Sequence, residues 1–145
     1  MNKYLLGIAF FISFSATAAS NDCKIAIQML TDSGLIMKSA TEAATGKDAT
    51  DLTKSKVTES EFSDWKTNVF SPKITETLNK YSKYQSIESN SPIYLGNILI
   101  IESTNYVEAL GNFVSTHDKQ YHTYLRETMG RVGNIYQELK TRCGK

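Results

Sequence analysis

Two cysteines, Cys23 and Cys143, stand near opposite ends of a 145-residue chain that contains no others. What they do depends on where the chain goes, and the opening residues speak to that. Lys3 gives a short basic start, "YLLGIAFFISF" follows as a mostly apolar run, and "SATAAS" supplies small residues. Ala16-x-Ala18 or Thr17-x-Ala19 offers the spacing a signal peptidase cuts after. The run is too short for a bilayer core, which needs roughly 20 apolar residues. Residues 1–19 therefore read as an export signal rather than a retained anchor, and residues 20–145 as one domain. Cys23 does not read as a lipid acceptor, because Ser20, Asn21 and Asp22 put polar and charged groups where a lipoprotein signal has small uncharged ones. No membrane anchor is expected once the leader is removed.

An exported chain with an even number of cysteines pairs them, since disulfides persist outside the reducing cytoplasm. A Cys23–Cys143 bond closes a loop of about 120 residues, worth at most about 4.8 kcal/mol on a chain-entropy model. Neither a Cys-x-x-Cys spacing nor an adjacent basic cluster points to a reactive thiol instead. The expected bond clamps the two ends of the fold together.

A chain of this size can bury a core of its own. Without Lys3 the 16 basic residues fall to 15, equal to the 15 acidic ones. Charge is dispersed, so there is no electrostatic footprint for nucleic acid or for an anionic membrane.

Helical spacing dominates the pattern. From Asp22, read as an N-cap, Cys23, Ala26, Ile27, Leu30, Gly34, Met37 and Ala44 form one apolar line. Ile25, Met29, Ile36 and Ala43 form a second, so this helix should touch neighbours on two sides. Gly46 stands where a helix would stop. After a polar loop, Thr58 and Glu61 form a capping-box pattern, and Phe62, Trp65, Val69 and Phe70 share a face. Ser71-Pro72 then interrupts. Pro is tolerated in a first helical turn, so a new helix with Ile74, Leu78 and Tyr81 inward can start there. The spacing leaves open whether the two pieces form one kinked rod.

Ser91-Pro92 repeats the start signal ahead of Leu95, Ile98, Leu99, Tyr106, Ala109, Leu110 and Phe113. "NILII" could be a strand by β-branching alone, but the longer helical period outweighs five residues. In the last segment Tyr121, Tyr124, Leu125, Val132, Ile135, Tyr136, Leu139 and Cys143 gather on one stripe, and Gly144 follows. The predicted fold is all-α: an up-down bundle of four main helices, the second broken near Pro72. In such a bundle the start of the first helix and the end of the last meet at one pole, as the cysteine pairing requires.

Signs of chemistry are sparse. His117 and His122 are five apart, not on one helical face, and no H-E-x-x-H, Cys/His cluster or C-x-x-C-H occurs. No metal or cofactor is expected. A G-x-S-x-G elbow is absent too, and the cysteines are committed to each other. Glu102 falls mid-stripe with Leu95, Leu99, Tyr106 and Phe113. A carboxylate there must be paired or protonated, and a core acid held by a tyrosine or an arginine is the preferred reading over a poised acid. Gly130 and Gly133 leave a bare patch opposite the last stripe, costing roughly 1 kcal/mol each in helix propensity, where another backbone could approach. Tyr84 and Tyr94 lie off the main stripes and suit a contact surface.

The expected function is accordingly non-enzymatic: a periplasmic or secreted module that binds another protein. An inhibitor, an immunity protein, an envelope chaperone or a secretion-system accessory protein would fit. The alternative is a small-ligand carrier that uses the bundle interior. Composition does not fix the oligomeric state.

Overall fold

Ser20 starts the first helix. Its hydroxyl accepts the Cys23 backbone N–H at 3.3 Å. In the computed structural model, which describes residues 20–46 and 51–144, α1 runs Asn21–Thr45. The expected leader lies outside the described residues. Asp22, read from sequence as the cap, instead occupies the first turn, where its charge faces the positive end of the helix dipole. Gly46 ends α1 at φ 77°, a backbone region that side chains disfavour.

Both apolar lines of α1 are buried, including Cys23, Ala26, Leu30 and Met37 on one and Ile25, Met29 and Ile36 on the other. The reason is position: α1 packs on α4 (Pro92–Thr116) and also faces the rod made by α2 (Glu59–Trp65) and α3 (Ser71–Tyr81). Met29 lies against Gly96 and Thr41 bonds Tyr106 at 2.8 Å, so α1 and α4 run parallel. Phe62 meets Gly111 while Lys66 pairs with Glu108, so the rod runs antiparallel to α4. The last helix, α5 (Lys119–Cys143), is also antiparallel to α4: Arg131 binds Glu102, and Arg142 donates to the Asn90 carbonyl just before α4. Four main helices thus alternate in direction, with no strand among the described residues.

Cys23 and Cys143 meet at one pole and are bonded, their Cα atoms 5.5 Å apart. Elsewhere α5 lies chiefly against α4 and touches α1 much less. The disulfide therefore ties together two helices that packing alone couples weakly.

The intimate α1–α4 contact needs small residues. Ala26, Ser33 and Ala40 recur at heptad spacing on α1, as Gly96 and Ser103 do on α4, and all five are buried. A Cβ on Gly96 would stand 2.3 Å from Met29 Sδ. Around this seam Met29, Leu30, Leu99 and Leu110 are almost fully enclosed, each stabilising the fold by roughly 1.5–3 kcal/mol. Ser33 Oγ finds no hydrogen-bond partner among the described residues, a cost of roughly 1–3 kcal/mol that accompanies the close approach.

The capping box forms as the sequence predicts: Thr58 Oγ1 accepts the Glu61 N–H, and the Glu61 carboxylate accepts the Thr58 N–H at 2.8 Å. Beyond it the rod is continuous through Pro72, because Lys66–Phe70 forms one turn of π-helix. Ser71 N–H reaches back to the Lys66 carbonyl, and the widened turn accommodates a ring that would crowd an α-helical carbonyl at i−4.

That turn changes which residues face inward. At about 100° per residue, an unbroken α-helix would put Val69 within roughly 20° of Phe62 and Phe70 roughly 80° away. One extra residue in the turn rotates Phe70 in and Val69 out. Accordingly Phe70 is buried, whereas Val69, predicted inside, is 47% exposed. Tyr81 is buried as the spacing predicts, but Thr77 rather than Leu78 turns inward beside it, and Leu78 faces out, contrary to the spacing argument. Tyr124, also predicted on a core stripe, is 39% exposed, while Leu125, as predicted, and Thr128 face the core.

Gly96→Val should destabilise the protein by about 2 kcal/mol through overpacking, whereas Gly130→Ala and Gly133→Ala, whose added Cβ atoms meet nothing within 4 Å, should each stabilise by up to about 1 kcal/mol. Urea midpoints of the purified variants decide the signs. Replacing both cysteines by serine should cost about 2–5 kcal/mol, and non-reducing peptide mapping of the unaltered chain should yield a single Cys23–Cys143 cross-link.

Candidate functional site

Glu102 has a firm structural role. Its two carboxylate oxygens accept from Arg131 Nε at 2.9 Å and Arg131 Nη2 at 3.0 Å, and the same Nη2 donates to Thr128 Oγ1 at 2.9 Å. The Glu102 contact in turn pushes the Arg131 guanidinium pKa upward. Arg131 also lies over the Tyr124 ring, 5.6 Å from its centroid. A bidentate pair of this kind fixes register between α4 and α5, and it gives Glu102 the arginine partner that burial requires.

A second polar anchor joins α1 to the rod. Tyr81 donates its hydroxyl to Asp32 at 2.8 Å, and Lys80 Nζ donates to the same Asp32 oxygen at 2.8 Å. Burial, foremost among the causes, pushes the Tyr81 hydroxyl up to about 12, so it stays a donor across the physiological range.

The residues singled out as contact candidates do not converge. Tyr84, in the connection after α3, is half-buried against the satellite cluster of Ile25, Met29 and Ile93. Tyr94, in the first turn of α4, is half-buried against the main core. Gly130 and Gly133 sit exposed on the outside of α5. His117 closes α4 in a left-handed conformation, and both it and His122 pack near Phe113, with ring centroids 5.9 and 6.3 Å away. Among the described residues no His, Cys, Asp and Glu side chains gather as a metal-binding set, and no helix is long and apolar enough to cross a membrane.

What the fold does assemble is an apolar groove between α1 and the rod, of about 440 Å³. Ile36 and Phe70 form its buried floor and Trp65 its half-buried wall, while Leu35 (54% exposed) and Val69 stand at its lip. Trp65 stacks with Phe70 at 6.0 Å and tilts on Phe62 at 5.3 Å, so the aromatic wall is held rigid. Lys73 and Glu76, paired at 3.0 Å, mark the polar rim. Neither Leu35 nor an outward Val69 follows from the apolar periodicity. The sequence signal that bears on Val69 is Pro72, two residues beyond the adjacent Val69-Phe70 pair, because an irregular turn before the proline exchanges which of the two faces inward.

No protein-family model matches the chain, no curated protein matches it, and no solved structure matches its fold.

Arg131 is partly solvated, so losing its partner is cushioned by water. Glu102→Ala should lower stability by about 1–2 kcal/mol, and the double variant Glu102→Ala/Arg131→Ala should cost less than the sum of the two singles; denaturant midpoints of the four proteins test this.

Proposed function

We propose that the protein works by binding another protein, with the Leu35–Val69 groove as its docking face. The carrying observation is that two large aliphatic side chains stand about half exposed on either lip of a hollow with an aromatic wall and a paired-charge rim. An apolar centre inside a polar rim is the anatomy of a protein interface. An aliphatic or aromatic anchor from a partner helix or loop would fill the groove. The rigid Trp65–Phe70 wall lowers the ordering cost of docking.

The disulfide fits a chain that resides outside the reducing cytoplasm, and the periplasm or the external medium is the compartment we assign. Within it, an inhibitor or immunity protein acting on a toxin or wall hydrolase is the first choice, and a secretion-system accessory role the second. A carrier using the bundle interior is disfavoured because Tyr106, Met37, Leu110 and Leu139 fill the described core.

The test is site-specific photo-cross-linking in the native host. A probe at Val69 or Leu35 should trap one protein in stoichiometric amounts, and a probe at Glu127 on α5 should not. Leu35→Asp and Val69→Asp should weaken that complex at least about 30-fold, the effect of losing a hot-spot residue, with the thermal midpoint unchanged. Equal trapping at all three positions, or full affinity in both aspartate variants, would remove the groove from consideration.

A further inference from the structure

A second hollow, of about 360 Å³, lies on another side of the bundle between α4 and the start of α5 and shares no lining residue with the apolar groove. Its character is different. On α4, Asn105, Glu108, Ala109 and Asn112 are spaced three and four apart and so form one face. Ala109 is buried, and its small side chain makes the floor. On α5, Tyr121 and Tyr124 are three apart and face the same hollow, with Gln120 beside them.

Asn112 engages its backbone carbonyl with Thr116, and Gln120 uses its backbone N–H on Asp118. The side-chain amides of Asn105, Asn112 and Gln120 make no hydrogen bond among the described residues. Glu108 is different: both its oxygens accept from Lys66 Nζ at 2.8 Å. Its charge is thereby balanced, while lone pairs remain for further donors. Tyr124 is steadied by the Arg131 guanidinium near its ring.

We propose that this hollow binds a neutral pyranose sugar. Neighbouring hydroxyls on a sugar ring alternate as donor and acceptor, and a side-chain amide offers one donor edge and one acceptor edge at matching separation. Three amides and a fixed carboxylate supply several such partners. The C–H face of the ring is apolar and packs on an aromatic side chain, which the tyrosines provide together with a hydroxyl. Charge selects further: with Glu108 neutralised by Lys66, no net charge faces a ligand. The volume lies toward the lower end of the roughly 300–1,000 Å³ of small-ligand sites, enough for one ring but short for an extended peptide.

The experiment uses the full disulfide-bonded protein and two probes, free N-acetylglucosamine or glucose at up to tens of millimolar, and purified insoluble peptidoglycan. Nitrogen-15 NMR should show the side-chain amide signals of Asn105, Asn112 and Gln120 moving with a monosaccharide, or else the protein should sediment with the polymer. The first outcome identifies a free sugar and the second a wall glycan. Asn105→Ala and Asn112→Ala, both solvent-accessible helix positions, should each weaken binding about tenfold, the loss of one good hydrogen bond to the ligand, with the circular dichroism unchanged. Val69→Asp should leave it intact, which separates this site from the protein-docking groove. Silence at all three amides together with no sedimentation, or binding that persists undiminished in both alanine variants, would overturn the proposal.

Discussion

Everything in this bundle is arranged around the close parallel contact of α1 and α4. Parallel helices cannot be consecutive in an up-down chain, so they are joined here through an antiparallel rod, and their intimacy must be built from side chains alone. Gly96 against Met29, with Ala26, Ser33, Ala40 and Ser103 along the seam, allows it. Once that pair is set, α4 has one flank left for the rod and another for α5. The grooves proposed as sites lie at two different seams: one where the rod meets α1, the other where α5 meets α4.

Polar contacts then fix the register that apolar packing leaves loose. Thr41 with Tyr106 ties α1 to α4, Asp32 with Tyr81 and Lys80 ties α1 to the rod, and Glu102 with Arg131 ties α4 to α5. Each joins a different pair of helices, so each sets one sliding coordinate. Buried or half-buried pairs of this kind add modestly to stability after desolvation, but they discriminate against a helix shifted by a turn. The disulfide performs the same service for α1 and α5, the pair with little packing of its own.

The rod shows how a local backbone feature creates a surface. Pro72 is accommodated by a π-helical turn, the turn rotates Val69 outward and Phe70 inward, and the result is an aromatic wall with an exposed aliphatic lip. π-Helical turns often accompany functional sites. Here the turn shapes the proposed docking face, since without the extra residue Val69 would be spent on the core.

Much of this was legible beforehand. Helix starts at Thr58 and Ser91, the stop at Gly46, the core lines through Leu30, Leu99 and Leu139, and the pairing of Cys23 with Cys143 are local or periodic properties, encoded by residue type and spacing alone. The partner of Glu102 was legible only as a requirement, because burial demands a counter-charge without naming Arg131. The inward turn of Phe70, the exposure of Val69, Leu78 and Tyr124, and the meeting of three free amides beside two tyrosines were decided by the tertiary structure. Periodicity assumes a constant angle per residue and one buried face per helix. A π-helical turn breaks the first assumption, and a helix wedged between unequal neighbours breaks the second.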